Sequence, residues 1–505
     1  MNNTEKFKIL GTAPIGRLLV QYAVPAIIAM AASSVYNIID GIFIGQGVGA
    51  AAIMGLALCA PIMSLTAAFG AMVGVGASTL MSVRLGQEDY DTARRILGNT
   101  IFMNIAMGLI LGGTLLLFLD PILRFFGASD VTLEPARQFM QIILAGNVVT
   151  HLYLGLNGLL RSTNRPRIAM YATIGTVLLN CLFCPLFIFV LDLGIRGAAI
   201  ATVLAQLCML IWQIHLFSDK AELVHTDLES IVHPNLRICH ESLTIGLPNF
   251  LVNACNCCIA ILFVRTLTHY GGDTAVGSYG IINRINFFII MAVIGLNQGM
   301  MPIAGYNFGA RKNDRLLRVL WLTIGAATVV TTLGWFLGTF FSTALVTPFA
   351  KDAPALITTA AHGMSIMVMV MPVIGVQIVS TAFFQSIGFP GKSIFLSLSR
   401  QLIFLIPALI ILPRTLSDPV DGVWYSIPLS DILATITSVV MLFFEVRKFK
   451  KLENEGISKS PAVPLYFSRF TLHLNHPLSP RRVLPPGGVR GGHQCLSTPF
   501  SFSPQ

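Results

Sequence analysis

One acidic residue, Asp40, lies inside a long apolar stretch near the start of the chain. An ionised carboxylate at bilayer depth costs roughly 2.5–3.5 kcal/mol on insertion scales, so such a residue is a functional candidate by default. Helical spacing places Tyr36 and Asn37 near the face that carries Asp40, which predicts a polar stripe directed into a helix bundle. The carboxylate could bind a proton or a metal cation, or attract a cationic substrate. Alternatively, it caps the end of its helix, since glycines follow.

Polar residues also occur in two later apolar stretches. Asn180 and Cys184 are one helical turn apart in the stretch 168–191, and Thr202 lies in the stretch 198–217. The amide oxygen of Asn180 is a neutral ligand suited to a hard cation such as sodium. The alternative role for Asn180 is a hydrogen bond between helices.

The second half of the sequence offers different candidates. No carboxylate occurs in its first apolar stretch, where Asn253 and Asn256 stand, nor in residues 363–386. An intramembrane arginine such as Arg284 needs a partner or water, so it either faces a cleft or is structural. Methionines suit promiscuous apolar binding, although most of them in membrane helices are apolar filler. The candidate residues for a substrate cleft are Tyr36, Asn37, Asn157, Asn253, Asn256, Arg284, Met364, Met367 and Gln377.

The composition indicates which elements must position these side chains. Of 505 residues, 54% are apolar and only 11% are charged, whereas soluble domains carry about 25% charged residues. This deficit excludes a soluble enzyme, a disordered chain and an outer-membrane barrel, and it predicts an all-α polytopic membrane protein. The net charge of +10 is spread over short clusters without interleaved aromatic residues, so we expect no nucleic-acid partner.

Apolar stretches of roughly 20 residues are typical of membrane spans, and this sequence has twelve of them. Lys and Arg concentrate in alternate connections, which predicts that both termini are cytoplasmic and that the protein is multi-pass in a bacterial plasma membrane. The predicted spans are 18–43, 51–82, 96–119, 133–160, 168–191, 198–217, 242–268, 274–306, 318–345, 355–385, 393–413 and 422–446.

The two halves of the sequence resemble each other at a nearly constant offset, which slips by a single position toward the end of each repeat. Six spans in each repeat give both repeats the same orientation. Parallel repeats of this kind are a transporter architecture with the substrate site between the halves. The matched pairs include Pro25 and Pro248, Gly49 and Gly272, Gly86 and Gly309, and Pro166 and Pro390.

The repeat predicts the domain organisation. A polar connection joins the halves, and the end of the chain is rich in proline and of low complexity, which predicts disorder or a spurious extension. The predicted parts are an N-terminal six-helix lobe at 1–217, a cytoplasmic linker at 218–241, a C-terminal six-helix lobe at 242–450 and a cytoplasmic tail at 451–505.

Four short motifs stand at the ends of predicted spans. They are Asp40-Gly-Ile-Phe-Ile-Gly45, Gly74-Val-Gly-Ala-Ser78, Leu193-Gly-Ile-Arg-Gly-Ala-Ala-Ile-Ala-Thr202 and Gly305-Tyr-Asn-Phe-Gly-Ala310. Together they resemble the multidrug and toxic compound extrusion (MATE) family of the MOP exporter superfamily, over residues from about 10 to 450. The resemblance implies a V-shaped pair of six-helix bundles that exports organic cations against a proton or sodium gradient.

The resemblance also implies a cation site in the first half, formed by Asp40, Asn180 and Thr202. The family's usual Asn-x-x-x-Asp-Pro reads Asn180-Cys-Leu-Phe-Cys184-Pro185 here. A neutral thiol is a poor sodium ligand and removes one negative charge, so the prediction shifts toward proton coupling through Asp40. Sodium at Asp40, Asn180 and Thr202 stays the alternative, and no cofactor is expected beyond the coupling ion.

The predicted function is therefore secondary active multidrug efflux by a monomer, with organic cations and the lipid bilayer as its partners. One alternative within the superfamily is a lipid-linked saccharide flippase, which would need cationic residues deep in its cleft, or an exporter of another solute. An integral membrane enzyme is disfavoured because the histidines are scattered singly. A channel is disfavoured because no segment resembles a selectivity filter.

Overall fold

The computed structural model describes residues 3–349 and 353–454, with side chains except at 3–6, 37–38, 50–51, 53 and 452–454. This part of the chain is almost entirely helical and contains no strand. The helices of the first half are α1 (Asn3–Thr12), α2 (Ile15–Gly47), α3 (Ala50–Gly86), α4 (Tyr90–Leu117), α5 (Leu119–Phe125), α6 (Asp130–Ala145), α7 (Asn147–Ser162), α8 (Pro166–Pro185), which continues as a π-helical turn at Leu186–Val190, and α9 (Gly194–Phe217).

The second half follows the same plan. A short helix in the connection, α10 (Leu228–Val232), precedes it. Its helices are α11 (Leu236–Gly309), α12 (Asn313–Phe340), α13 (Ser342–Val346), a 3₁₀ turn at Thr347–Phe349, α14 (Pro354–Met367), α15 (Met371–Ser386), α16 (Pro390–Leu398), the π segment (Ser399–Leu405), α17 (Ile406–Thr415) and α18 (Pro419–Asn454).

The described helices include nine that are long and apolar enough to cross a membrane, and two bent pairs raise this number to eleven. The bent pairs are α6 with α7, at 54°, and α14 with α15, at 57°. Within α11 the backbone leaves the helical region at Gly272, where the sequence predicts the break between two spans. The predicted all-α membrane fold is confirmed, whereas the count of twelve spans stays a prediction.

Side-chain caps fix where several helices begin. The Asp89 carboxylate accepts a hydrogen bond from the Thr92 N–H at 3.1 Å and starts α4. Asn235 caps α11 because its side chain accepts from the Arg237 and Ile238 backbone amides, and this places the start of α11 at the end of the polar connection. The connection is also bound to the first half, because the Asn99 side chain accepts from the Asn235 N–H at 2.7 Å. The predicted tail lies outside the described residues from residue 455 onward.

The repeat seen in the sequence recurs in the backbone. Three pairs of residues at equivalent positions of the two repeats adopt the left-handed conformation, which only glycine adopts without strain. The pairs are Gly49 with Gly272 (φ 103° and 62°), Glu88 with Arg311 (φ 61° and 57°), and Asn164 with Gly388 (φ 63° and 75°).

Helices of the two halves cross at glycines that allow direct backbone contact. A methyl group placed on Gly86 would lie 2.0 Å from the Tyr306 carbonyl oxygen, and one on Gly309 would lie 2.0 Å from the Val83 oxygen. The two contacts are related by the repeat, because Gly86 is equivalent to Gly309 and Val83 is equivalent to Tyr306. At a second crossing of this kind, Gly76 of α3 packs directly against the backbone of α11. The two crossings hold the repeats face to face.

Candidate functional site

The site is built by α2, α8 and α9 of the first half. Asp40 lies two turns before the end of α2 and is 9% exposed. The Cys184 thiol on α8 donates to Asp40 Oδ1 over 3.5 Å, and Cys184 itself is fully buried. Because α2 continues to Gly47, Asp40 is an internal residue of its helix and not its cap. A buried carboxylate therefore faces α8, with a thiol as its hydrogen-bond donor.

Thr202 of α9 joins the other polar residues. Its hydroxyl donates to the Ala198 carbonyl at 3.1 Å, one turn earlier in its own helix. The Asn180 amide donates to the Thr202 hydroxyl oxygen at 3.1 Å, and the Tyr36 hydroxyl lies 3.1 Å from that Thr202 oxygen. Since the Thr202 proton is used by Ala198, Tyr36 is the donor. The Thr202 oxygen thus connects all three helices.

This arrangement determines which ion the residues suit. The Thr202 oxygen already donates one hydrogen bond and accepts two, so it has no lone pair left for a metal ion. The position nearest the carboxylate holds a thiol, a soft ligand that suits sodium poorly. A proton needs only the Asp40 carboxylate.

The sequence-predicted residues of the first half are thus largely brought together. Asp40 and Cys184 form one contact, and Tyr36, Asn180 and Thr202 form the network beside it. The side chain of Asn37 lies outside the described part of the structure. Asn157 is separate, because its buried amide donates to the Ala169 carbonyl at 3.1 Å and holds α7 against α8.

The polar candidates of the second half are dispersed. The Asn253 amide donates to the Asn249 carbonyl of its own helix at 2.8 Å, and Asn256 accepts from the Gln401 amide at 2.8 Å. Arg284 is exposed on α11, and Gln377 is buried on α15. These four residues do not form one polar cluster.

Met364 and Met367, which are cleft candidates by sequence with apolar filler as the alternative, lie in a packed core in this structure. Their side chains are 0% and 6% exposed and belong to the apolar core of the second half, together with Phe263 and Trp424. Buried thioethers in such a core fill space between helices. The apolar-filler interpretation therefore holds for these two methionines in this structure.

Sequence reasoning missed a buried ion pair in the second half. Arg400 Nε donates to Asp431 Oδ1 at 2.6 Å, and Asp431 is 2% exposed. Arg400 falls within the predicted span 393–413 without being singled out there, and the structure places it in the π segment inside a helix of 26 residues, Pro390–Thr415. An arginine and an aspartate inside two neighbouring apolar stretches were the signal that would have revealed the pair.

Comparisons with known proteins agree with this architecture. The chain is 25% identical over 433 residues to the multidrug export protein MepA of Staphylococcus aureus (strain MRSA252), and the aligned region covers 85% of this chain and 94% of that protein. MepA of Staphylococcus haemolyticus (strain JCSC1435) is also 25% identical, over 429 residues, covering 85% and 93%.

Solved structures share the fold. An outward-facing multidrug resistance MATE family transporter of the MOP superfamily matches with a TM-score of 0.82 and 22% identity, over 89% of this chain and 99% of that one. A MOP superfamily transporter from Pyrococcus furiosus Vc1 matches with a TM-score of 0.83 and 23% identity, over 88% and 99%. The sequence model of the MatE family matches residues 25–186 and again residues 248–410, which is more than half of the chain. With one match in each repeat, the chain belongs to the MatE family.

Proposed function

We propose that this protein is a secondary active multidrug exporter that expels organic cations in exchange for protons. It is a transporter rather than an enzyme, and it acts as a monomer in the bacterial plasma membrane with both termini in the cytoplasm. The multidrug export relatives support the class of substrate. The buried carboxylate of Asp40, held between α2 and α8, carries the proposal of ion coupling.

The mechanism follows from the two charge states of Asp40. Ionised, its carboxylate attracts a cation and accepts the Cys184 hydrogen bond. Protonated, it is neutral and no longer opposes entry of α2 into apolar surroundings. Proton and drug are exchanged only if the two charge states favour different conformations, because a ligand shifts an equilibrium by its differential affinity alone. The network at Thr202 positions α2 against α8 and α9 while the charge changes.

Proton coupling is preferred over sodium coupling because of two features of the site. The Thr202 oxygen has its hydrogen bonds filled, and Cys184 stands where the family's usual motif has a carboxylate. Without that second negative charge, the attraction of the site for sodium is weakened. Protonation of Asp40 needs neither a free lone pair on Thr202 nor a second carboxylate.

The proposal is tested by ethidium efflux from energised cells that lack their own exporters. We expect efflux in sodium-free buffer, and we expect nigericin, which collapses the proton gradient, to abolish it. A requirement for sodium would mean that the cation site works despite Cys184. No efflux, with the protein present in the membrane, would contradict drug export and favour another solute or a lipid-linked saccharide.

Substitution Cys184→Asp is predicted to introduce a response to sodium. The new carboxylate would replace a thiol whose sulfur is 3.5 Å from Asp40 Oδ1. Two carboxylates at this separation cannot both ionise unless a cation lies between them or they share a proton. We therefore expect sodium to stimulate efflux several-fold at alkaline pH in this variant. Cys184→Ser, which adds no charge, is the matched control, and equal sodium independence of both variants would contradict the prediction.

A further inference from the structure

The last helix, α18, carries three acidic residues that each pair with a base from another element. Asp421 Oδ1 lies 2.9 Å from His362 Nε2 of α14, near the start of α18. Asp431 accepts from Arg400 of the π segment, and Glu445, near the other end, pairs with Lys392 of α16. The first pair is exposed on its histidine side, whereas Asp431 is buried.

A row of polar side chains, all buried except the partly exposed Arg400, connects the Arg400–Asp431 pair with the Lys392–Glu445 pair. On α18, four of them occupy positions i, i+4, i+7 and i+14, which lie on one face of a helix. Along α16 and the π segment, three more follow at i, i+4 and i+7, and these elements pack against α18. We name this set the polar seam, and it consists of Asp431, Thr435, Ser438, Glu445, Ser393, Ser397 and Arg400.

Several atoms of the polar seam lack a partner among the described residues. They are Asp431 Oδ2 and the hydroxyls of Ser438 and Ser393, and the amide oxygen of Gln401, the neighbour of Arg400, is a fourth such atom. All of these residues are at least nine-tenths buried. Buried polar groups in proteins are bonded to protein or to ordered water. Unpartnered groups in a row are therefore an argument for water entering between α16 and α18.

The repeat shows that the polar seam is not a copy of the site in the first half. In the repeat alignment that pairs Pro166 with Pro390, Arg400 and Asp431 correspond to Thr176 and Leu207, about one turn from Asn180 and Thr202 toward the predicted cytoplasmic side. The positions equivalent to Asp40, Asn180 and Cys184 are apolar, namely Phe263, Phe404 and Ala408. The second half therefore places its ionisable pair between the π segment and α18, which are the repeat equivalents of α8 and α9, but about one helical turn closer to the predicted cytoplasmic side.

The pair is also placed where the helix is irregular. Arg400 lies in a π-helical turn, and such turns are found frequently at functional sites. Gln401 donates to Asn256 of α11 at 2.8 Å, so the same turn contacts two helices. Pro407 follows shortly after. A change in the charge of Asp431 would therefore act on a segment that can change its packing.

Arg400 is the charged group that faces Asp431. On its own helix, Asp421 and Glu445 are about 15 and 21 Å away along the axis. No titratable side chain occurs on α15, which also packs against α18. On the other elements packed around the middle of α18, the charged residues are exposed or lie toward its ends: His362, Lys392, Arg414, Arg265, His269, Asp273 and Arg284. The remaining titratable groups nearby carry no charge at neutral pH, and they include Cys255, Cys257, Cys258 and Tyr279 of α11 and Tyr425 of α18 itself.

From these observations we infer that Asp431 is a second proton-binding carboxylate and that the polar seam is its route to the Lys392–Glu445 end of the molecule. A hydronium ion in the seam transfers its proton to Asp431 Oδ2, leaving water and a neutral carboxyl. Arg400 keeps its charge and loses its counter-ion, so the contact between the π segment and α18 weakens. The inference deepens the proposed proton coupling and rests on it, but its test needs no transport.

Proton binding is measured on the purified full-length protein by infrared difference spectroscopy between acidic and alkaline pH. We expect a band of a protonated buried carboxyl that Asp40→Asn retains and Asp431→Asn loses. Because Asp431→Asn leaves Arg400 without a counter-ion and risks misfolding, the double variant Arg400→Gln/Asp431→Asn is compared as well. Identical carboxyl spectra for this folded double variant and the unmodified protein would overturn the proposal.

The route is tested by the rate at which this band appears after a pH jump. Substitution Ser393→Ala/Ser438→Ala removes the two unpartnered hydroxyls, and we expect the rate to fall about tenfold with the final amplitude unchanged. The matched control is Ser426→Ala, a fully buried serine on the opposite face of α18 whose hydroxyl donates to the Val423 carbonyl. Equal rates in both variants would overturn the assigned route. Failure of ethidium efflux with the band present would contradict the transport function alone.

Discussion

Substitution Asp40→Asn is expected to reduce proton-driven ethidium efflux to the rate of cells without the protein. Asn has the size of Asp and can still accept the Cys184 hydrogen bond at its amide oxygen, so the contact between α2 and α8 is retained. What is lost is the change of charge. The measurement is efflux at fixed pH from cells with equal amounts of each protein in the membrane.

The magnitude follows from the energy of a buried charge. An acidic residue at bilayer depth costs roughly 2.5–3.5 kcal/mol on insertion scales, and a bias of this size between conformations corresponds to a factor of about 100 in their equilibrium. An amide is neutral at every pH and supplies none of this bias. Proton entry therefore no longer drives the protein between its states, and net efflux against a gradient stops.

Two variants separate this effect from a general disturbance of α2. Ser34→Ala removes a buried hydroxyl that donates to the Met30 carbonyl within the same helix, and it is expected to transport normally. Asp40→Glu keeps the carboxylate and is expected to retain partial activity. Efflux by Asp40→Asn at the unmodified rate, with the same pH dependence, would show that Asp40 is not the coupling group.

The sequence predicted the first-half site because the relevant signal is local. A carboxylate in an apolar stretch is costly wherever it lies, so Asp40 was found without knowledge of any contact. The positions of Asn180 and Thr202 depended on helical spacing and on the family resemblance. What the sequence did not contain was that the Thr202 oxygen joins three helices, because this depends on how α2, α8 and α9 pack.

The second half was predicted less well for a physical reason. Arg400 and Asp431 are 31 residues apart in two different predicted spans, and the sequence does not say that their side chains face each other, because this depends on how the π segment packs on α18. Similarly, hydropathy does not distinguish a methionine in a packed core from one in a cleft, so the sequence left both roles open for Met364 and Met367. The bends of 54° and 57° within two predicted spans carry no hydropathy signal either.

Substitution of Gly76 or Gly246 by Ala is expected to force apart the crossing of α3 and α11. A methyl group on Gly76 would lie 1.8 Å from the Ser242 carbonyl oxygen, and one on Gly246 would lie 1.8 Å from the Met72 oxygen. Both obstacles are backbone atoms within helices, so no side chain can rotate away. The helices must separate by about 1 Å or more, and overpacking of this kind costs about 1–3 kcal/mol.

Because α3 belongs to the first repeat and α11 to the second, this cost applies to the conformation in which the repeats are in contact here. A transporter that alternates between conformations would shift toward the one in which this crossing is open, by a factor of about 5–150. The measurement is the distance between spin labels at two exposed positions, Glu88, which follows the end of α3, and Asp314, which lies in the first turn of α12 just after α11. We expect a longer distance, a lower thermal stability and impaired efflux.

The matched control is Gly325→Ala on α12, because a methyl group there meets no atom within 4 Å. Alanine has a higher helix propensity than glycine by about 1 kcal/mol, so this variant is expected to be as stable as the unmodified protein or more stable. The same propensity gain is present in Gly76→Ala and Gly246→Ala, and the steric cost at the crossing must exceed it. A label distance and melting temperature equal to those of Gly325→Ala would therefore show that the two repeats do not depend on this backbone contact.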